Sequence, residues 1–322
     1  MALQFSEIIE AERAARLPLL VRVMQSRLWN ITLAVLICVG AAIALYPSGA
    51  DWISAIGHSQ TLQVYQSAVR SKNQVEQAQA LQQATIYNDS LGPNTVLDPF
   101  AGTADGNSQG NSSQAQPSTA AASEKYNSLL DPAGDGVMAT IVIAKIGLDL
   151  PIYHGTTEET LARGIGHLYG TSLPVGGEGT HAVLTGHNGY ALSQLFSNVH
   201  KLVLGDTFLI HVEGETLSYK VDQIKVVLPN DMSSLQKVKG KDYVTLVTCT
   251  PTGVNSHRLL VRGVRVASSR VVDAGAHESD ASEDKVVVPF PWWAVWLAAA
   301  VTAAVWVVAG PAISTPARHR RS

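Results

Sequence analysis

The chain has 322 residues, with 23 basic and 26 acidic side chains and a formal net charge of -3. No basic stripe runs along it, which excludes nucleic acid as a main partner. It holds 2 cysteines and no Cys/His cluster spaced for zinc, so neither a disulfide framework nor a metal or other cofactor is expected.

Residues 1–27 carry Arg13, Arg16, Arg22 and Arg27 with few acids close by. Residues 28–46 form an apolar run of about one bilayer, with Asn30 and Thr32 tolerable near its start. The run is long for a signal-peptide core and lacks a strong cleavage site behind it, so a retained anchor is expected. In residues 47–92, Leu62, Tyr65 and Val69, then Val75, Ala78 and Leu81, recur at three- and four-residue steps. That period predicts one or two amphipathic helices, broken by Pro93 and Asn94. Residues 93–135 form a linker segment, and 101–125 is rich in Gly, Ser, Asn, Gln, Ala and Thr with little to bury, so a flexible loop is expected there.

From residue 136 the pattern becomes β. Residues 137–146, 149–153, 182–185, 207–212, 217–227, 243–249 and 259–266 read as strands, with a hairpin across Glu213-Gly214-Glu215. Helical stretches are short, at 157–163 and 191–199. Many short strands without helical crossovers predict a mainly β fold, a closed or nearly closed barrel over residues 136–270. Residues 271–285 are an acidic tether. Residues 286–313 are a second apolar run with Trp292, Trp293 and Trp296 near one end, where indoles favour a membrane interface. Residues 314–322 are basic through Arg318, Arg320 and Arg321. Positive charge on the far side of both runs predicts two transmembrane helices, both termini in the cytoplasm, and everything between outside.

Cys38 lies in the first apolar run and is not placed to pair with Cys249. An unpaired thiol outside the cell points to intermolecular bonding or to reactivity. A thiol works as a nucleophile when a base or cation is near. His187, at a strand end in Leu-Thr-Gly-His-Asn-Gly, is the best candidate base because glycines on both sides free the backbone. His58, His277 and His319 lie outside the β region. His154, His167, His181, His200, His211 and His257 lie within it, and any one of them alone reads as a surface or satisfied polar residue. The run 243–249, its turn and the strand from 259 bring Arg258 back beside Cys249. There a guanidinium can hold an oxyanion without losing its proton. The plain alternative is an edge-strand arginine, which is how Arg262 and Arg265 read.

Thr245-Leu246-Val247-Thr248-Cys249, with His187 upstream and Arg258 downstream, resembles the signature of the sortases, membrane-anchored cysteine transpeptidases of Gram-positive bacteria. Leu-Pro-Ile-Tyr-His-Gly-Thr, Leu-Thr-Gly-His and Thr-Pro-Thr-Gly-Val-Asn-Ser-His-Arg extend the likeness. The resemblance implies an eight-stranded sortase β-barrel with Cys249 as nucleophile, His187 as acid/base and Arg258 as substrate and oxyanion stabiliser. The two apolar runs, the helical extension and Asp98-Pro99-Phe100 resemble the pilin-polymerising class C, whose lid lies across the active site. By that analogy Asp98 engages Arg258, and Phe100 packs against the Cys249 sulfur. Asp131-Pro132 is a rival without the aromatic. Two departures stand out: a long stretch after Phe100, and Asn188-Gly189-Tyr190 where many relatives carry a basic residue.

The implied reaction is cleavage of a Leu-Pro-X-Thr-Gly-like (LPXTG) signal at Thr-Gly through a thioacyl intermediate, then transfer to a pilin lysine. The implied partners are pilins with a sorting signal and an acceptor lysine, and a lipid bilayer. The implied place is the cell membrane, with the catalytic domain on the extracellular face. A housekeeping sortase acting on peptidoglycan, a membrane-tethered cysteine hydrolase and a non-catalytic surface protein stay open as alternatives.

Overall fold

β-branched and aliphatic residues dominate residues 137–154, and they fold as two antiparallel strands, β1 (Val137–Ile143) and β2 (Leu148–His154). Gly147, left-handed at φ 62, closes the 3-10 turn between them. The structure is a computed structural model that describes residues 27–92, 98–100, 119–189, 195–267 and 290–309. After β2 come helix α4 (Glu158–Arg163), β3 (Ile165–His167), β4 (Thr180–Thr185), β5 (Thr207–Val212), β6 (Glu215–Val227), β7 (Asp242–Thr250) and β8 (His257–Val266). Before β1 lie α1 (Arg27–Ser71), α2 (Gln74–Ser90) and α3 (Ala120–Asn127), and after β8 lies α5 (Trp292–Ala309).

The eight strands close into a barrel in the order β1-β2-β3-β4-β7-β8-β6-β5, with β5 returning to β1. The β2–β3 and β4–β7 pairs are parallel and the others antiparallel. Side chains alternate between faces along a strand. Val244 and Leu246 of β7 and Leu259 and Val261 of β8 thus enter the main core with Met138, Ile141, Phe208 and Tyr219. Val247 and Cys249, together with Leu260, take the other face. There they join Val183, Leu161, Leu168, Met232, Leu235 and Phe100 in a second buried cluster.

The chain divides into two compact units, Met1–Trp52 with Pro289–Ser322, and Ile53–Val288. In the first, Trp52 and Trp293 meet edge to face at 5.9 Å, and Gly49 leaves room for the Trp293 ring. Trp29, Ile43, Trp296 and Trp306 point outward. Two helices, Trp29–Ser71 and Trp292–Ala309, are long and apolar enough to cross a membrane. In the second unit, Leu62, Tyr65 and Val69 of α1 are buried, and Tyr65 and Val69 share a cluster with Val137 and Tyr153. The Tyr65 hydroxyl donates to the Met138 carbonyl at 3.2 Å, and Lys72 pairs with buried Glu213 at 2.6 Å.

Several elements differ from the sequence reading. The helix that holds the first apolar run is longer than the run: α1 continues through Pro47 to Ser71 as one helix. Helix α2 starts on a capping box at Asn73 and Glu76. It buries Ala84, Tyr87 and Asn88 rather than Val75, which is 65% exposed. The expected loop 101–125 is helical from Ala120, capped by the Thr119 side chain; residues 101–118 fall outside the described residues. Strand β3 was not anticipated, because three residues carry no periodic signal. The stretch 137–146 is a strand and then a 3-10 turn. The helix expected at 191–199 is, in its described part, a turn leading to a 3-10 turn at Val199–Lys201. Of the run 286–313, residues 290–309 are described, with the helix at Trp292–Ala309, and the tether 271–285 lies outside the described residues.

Candidate active site

The site is built on three neighbouring strands. Parallel pairing of β4 with β7 sets Thr185 beside Val247. Beyond the last β4 residue the backbone stays on β7: the Gly186 N–H donates to the Val247 carbonyl at 3.2 Å, and Thr248 Oγ1 donates to the Gly186 carbonyl at 2.7 Å. Asn188 Nδ2 then donates to the Cys249 carbonyl at 2.8 Å, and Thr252 Oγ1 donates to Asn188 Oδ1 at 3.1 Å. His187 is thereby held level with Cys249. Gly186 has a steric reason as well: a Cβ there would lie 2.8 Å from Ile165 Cδ1 and 2.8 Å from the Phe196 ring. On the opposite side, antiparallel pairing sets Cys249 directly across from Arg258. Directly paired residues project to the same face of a sheet, so Cys249 stands between His187 and Arg258.

Asp98 meets Arg258 in a two-pronged ion pair. Arg258 Nε donates to Asp98 Oδ1 at 2.9 Å and Nη2 to Oδ2 at 2.7 Å, with side chains only 3% and 10% exposed. Nη1 donates to the carbonyls of Asn255 at 2.9 Å and His257 at 3.2 Å. Pro99 carries the chain through a tight turn in which the Phe100 N–H donates to Asp98 Oδ1 at 3.3 Å. The Phe100 ring is 1% exposed, 5.8 Å from the His187 ring and 5.2 Å from Arg258 Cζ, centroid to atom. It thus lies among the three residues and shares the buried cluster of Cys249.

Burial and neighbouring charges act on the titrating groups of the site. Burial pushes the Cys249 thiol up to about 11; Arg258 pulls it down and Asp98 pushes it up again. Burial also moves His187 below its ordinary value, against the pull of Glu158. Burial thus favours the uncharged form of both the thiol and the imidazole.

Structure thus brings together Cys249, His187, Arg258, Asp98, Pro99 and Phe100. Two further residues were not singled out for the site. Glu158, at the start of α4, has Oε1 3.5 Å from His187 Nε2. Asn188 ties the His187 backbone to that of Cys249. Glu158 has no local motif, and Asn188, although it follows His187 in Leu-Thr-Gly-His-Asn-Gly, shows its role only through the tertiary bond to β7. Two of the other histidines serve elsewhere in the barrel: His167 is buried against the Tyr126 hydroxyl at 2.8 Å, and His181 against Thr245 Oγ1 at 2.7 Å.

Residues 141–266 match the Sortase domain family model. Sortase C-1 from Actinomyces oris is 46% identical, with 60% of this chain and 98% of that chain covered at a TM-score of 0.54. Sortase A from Corynebacterium diphtheriae is 42% identical over 64% of this chain and 92% of its own, at a TM-score of 0.56. Sortase C of Streptococcus pneumoniae, whose crystal structure bears on catalysis and pilin substrate specificity, is 35% identical with 65% and 97% covered, TM-score 0.55. The curated Sortase A of Bacillus anthracis is 32% identical over 127 residues, 39% of this chain and 59% of the relative's length. Identity of this order over almost the whole of the solved domains, on a barrel of the same topology class, means that the chain belongs to the sortase family.

Proposed function

We propose that this chain is a class C sortase, anchored by two membrane helices, that joins pilin subunits through a thioacyl intermediate on Cys249. The observation that carries the reading is the Asp98–Arg258 ion pair with Phe100 beside His187: a segment upstream of the barrel covers the nucleophile. Such a cover suits an enzyme whose thioester must meet a protein amine rather than water. Similarity to the sortase C structures of Actinomyces oris and Streptococcus pneumoniae supports the class. The two long apolar helices support the anchoring.

In this reading the cover moves aside and frees the Arg258 fork. Cys249 Sγ attacks the Thr-Gly carbonyl of an LPXTG-like signal, and its proton passes to His187. Arg258 holds the oxyanion of the tetrahedral intermediate, a role worth about 3–4 kcal/mol in barrier height for one preorganised donor. His187 returns the proton to the glycine amine as the C–N bond breaks, leaving an acyl group on sulfur. A lysine amine of the next pilin attacks the thioester, the C–S bond breaks, and an isopeptide bond joins the two subunits. Co-expression of the full chain with a pilin bearing such a signal tests this. Polymer ladders are expected from the wild type and none from a folded Cys249→Ala variant; ladders from that variant would overturn the reading.

A further inference from the structure

The strand order β4-β7-β8 gives the site two electrostatically unlike sides. Arg258 on β8 is a fixed cation on one side of Cys249. On the other side, His187 at the end of β4 has a carboxylate beside it, Glu158 Oε1 at 3.5 Å from Nε2. Asp98, the carboxylate that acts on the thiol, is committed to Arg258. The Glu158 side chain is 63% exposed, so its carboxylate reaches solvent, while the His187 side chain is 17% exposed with its Nε2 atom buried behind that carboxylate. Its mount is firm. Thr157 caps α4, accepting the Thr160 N–H at 3.2 Å. Leu161, one turn on, is fully buried in the cluster that contains Cys249. Arg163 at the far end stacks on Tyr153 at 4.6 Å, and its carbonyl meets His58 Nε2 at 3.0 Å.

A carboxylate this exposed is a poor device for holding a histidine in place, because water screens the pair. It is well placed for an arriving cation. We propose that Glu158 docks the ammonium group of the acyl acceptor and presents it beside His187, making it a specificity-determining residue for cationic amines. The inference rests on the acyl-transfer reading above. In the resolving step the docked ammonium releases one proton to solvent. The neutral amine attacks the thioester carbon, the C–N bond forms, and the C–S bond breaks with its electron pair left on Sγ. The second N–H proton passes to His187, which had become neutral when it protonated the departing glycine amine. The products are the amide, a Cys249 thiolate and a protonated His187. Glu158 itself neither gains nor loses a proton; it raises the local concentration of ammonium at the base and turns its N–H bonds toward Nε2.

The test compares two acceptors on the full chain in detergent with one LPXTG donor peptide: a lysine-containing peptide, which is cationic, and hydroxylamine, which is uncharged at neutral pH. The readout is the ratio of lysine ligation to hydroxylaminolysis at sub-saturating acceptor. Glu158→Gln is expected to lower that ratio by about tenfold, the loss of one charge-assisted contact, and Glu158→Asp to recover part of it. A ratio that stays constant, whether both rates fall together or neither does, would overturn the proposal and leave Glu158 a partner of His187 or a surface residue. If wild-type chain consumes no donor peptide with either acceptor, the acyl-transfer reading itself fails, and this inference with it.

Discussion

Cys249 lies under opposing influences, and their order decides how the residue behaves. Burial is the largest and lifts the thiol to about 11; Arg258 opposes it, and Asp98 partly cancels Arg258. A group whose folded value is raised binds its proton more tightly in the folded chain. Its contribution to stability is therefore intact below the ordinary thiol value and is lost as pH climbs toward about 11. The thiolate, not the thiol, reacts with alkylating reagents. Labelling of Cys249 in the wild type is thus expected to rise only well above neutral pH. In an Asp98→Ala/Phe100→Ala variant the burial and the competing carboxylate are both relieved while Arg258 stays. The midpoint of the labelling profile should move downward; a midpoint at the wild-type position would contradict this account of the thiol.

Among the elements, the β4-β7-β8 array and the segment 98–100 do the positioning. Phe100 loses nearly all contact with water, and full burial of such a side chain is worth about 1.5–3 kcal/mol. Phe100→Ala alone should therefore raise the labelling rate of Cys249 at fixed pH by about 10- to 100-fold. An unchanged rate would mean that the ring does not hold the cover shut. Gly186→Ala places a methyl against Ile165 and Phe196 at 2.8 Å, next to His187. Overpacking of this kind costs about 1–3 kcal/mol. Donor-peptide cleavage is expected to fall while the fold persists, since the displaced backbone carries His187, the proposed base; wild-type activity in that variant would argue against the role given to this glycine. Much of this array was legible in the sequence. The runs 243–249 and 259–266 alternate or are β-branched, and the turn between them forces Arg258 back toward Cys249. Other parts were not. Helix α2 was expected but its buried face was not: Asn88 is held by paired bonds with Leu173, at 3.1 and 2.7 Å, that no periodicity announces. Strand β3 is three residues long, and Glu158 becomes part of the site only through the packing of α4 against β3, which brings it to His187.

At the scale of the whole molecule, the Ile53–Val288 unit carries every residue placed in the site, while the two long apolar helices supply the proposed anchor. The cover belongs to the same polypeptide, between α2 and α3, so its concentration at the site does not depend on how much protein is present. Lys72–Glu213 and the Tyr65 hydroxyl fix the end of α1 on the barrel, which gives the segment that starts after α2 a fixed point of departure. The central claim is that Cys249 is a nucleophile restrained by that segment. Intact-mass analysis of the full-length chain mixed with an LPXTG peptide tests it most directly. The expected product is a covalent adduct equal to the peptide without its glycine-side fragment, mapped to Cys249, released by hydroxylamine, and formed faster in Asp98→Ala than in the wild type. An adduct on any other residue, or none in a folded Asp98→Ala chain, would contradict it.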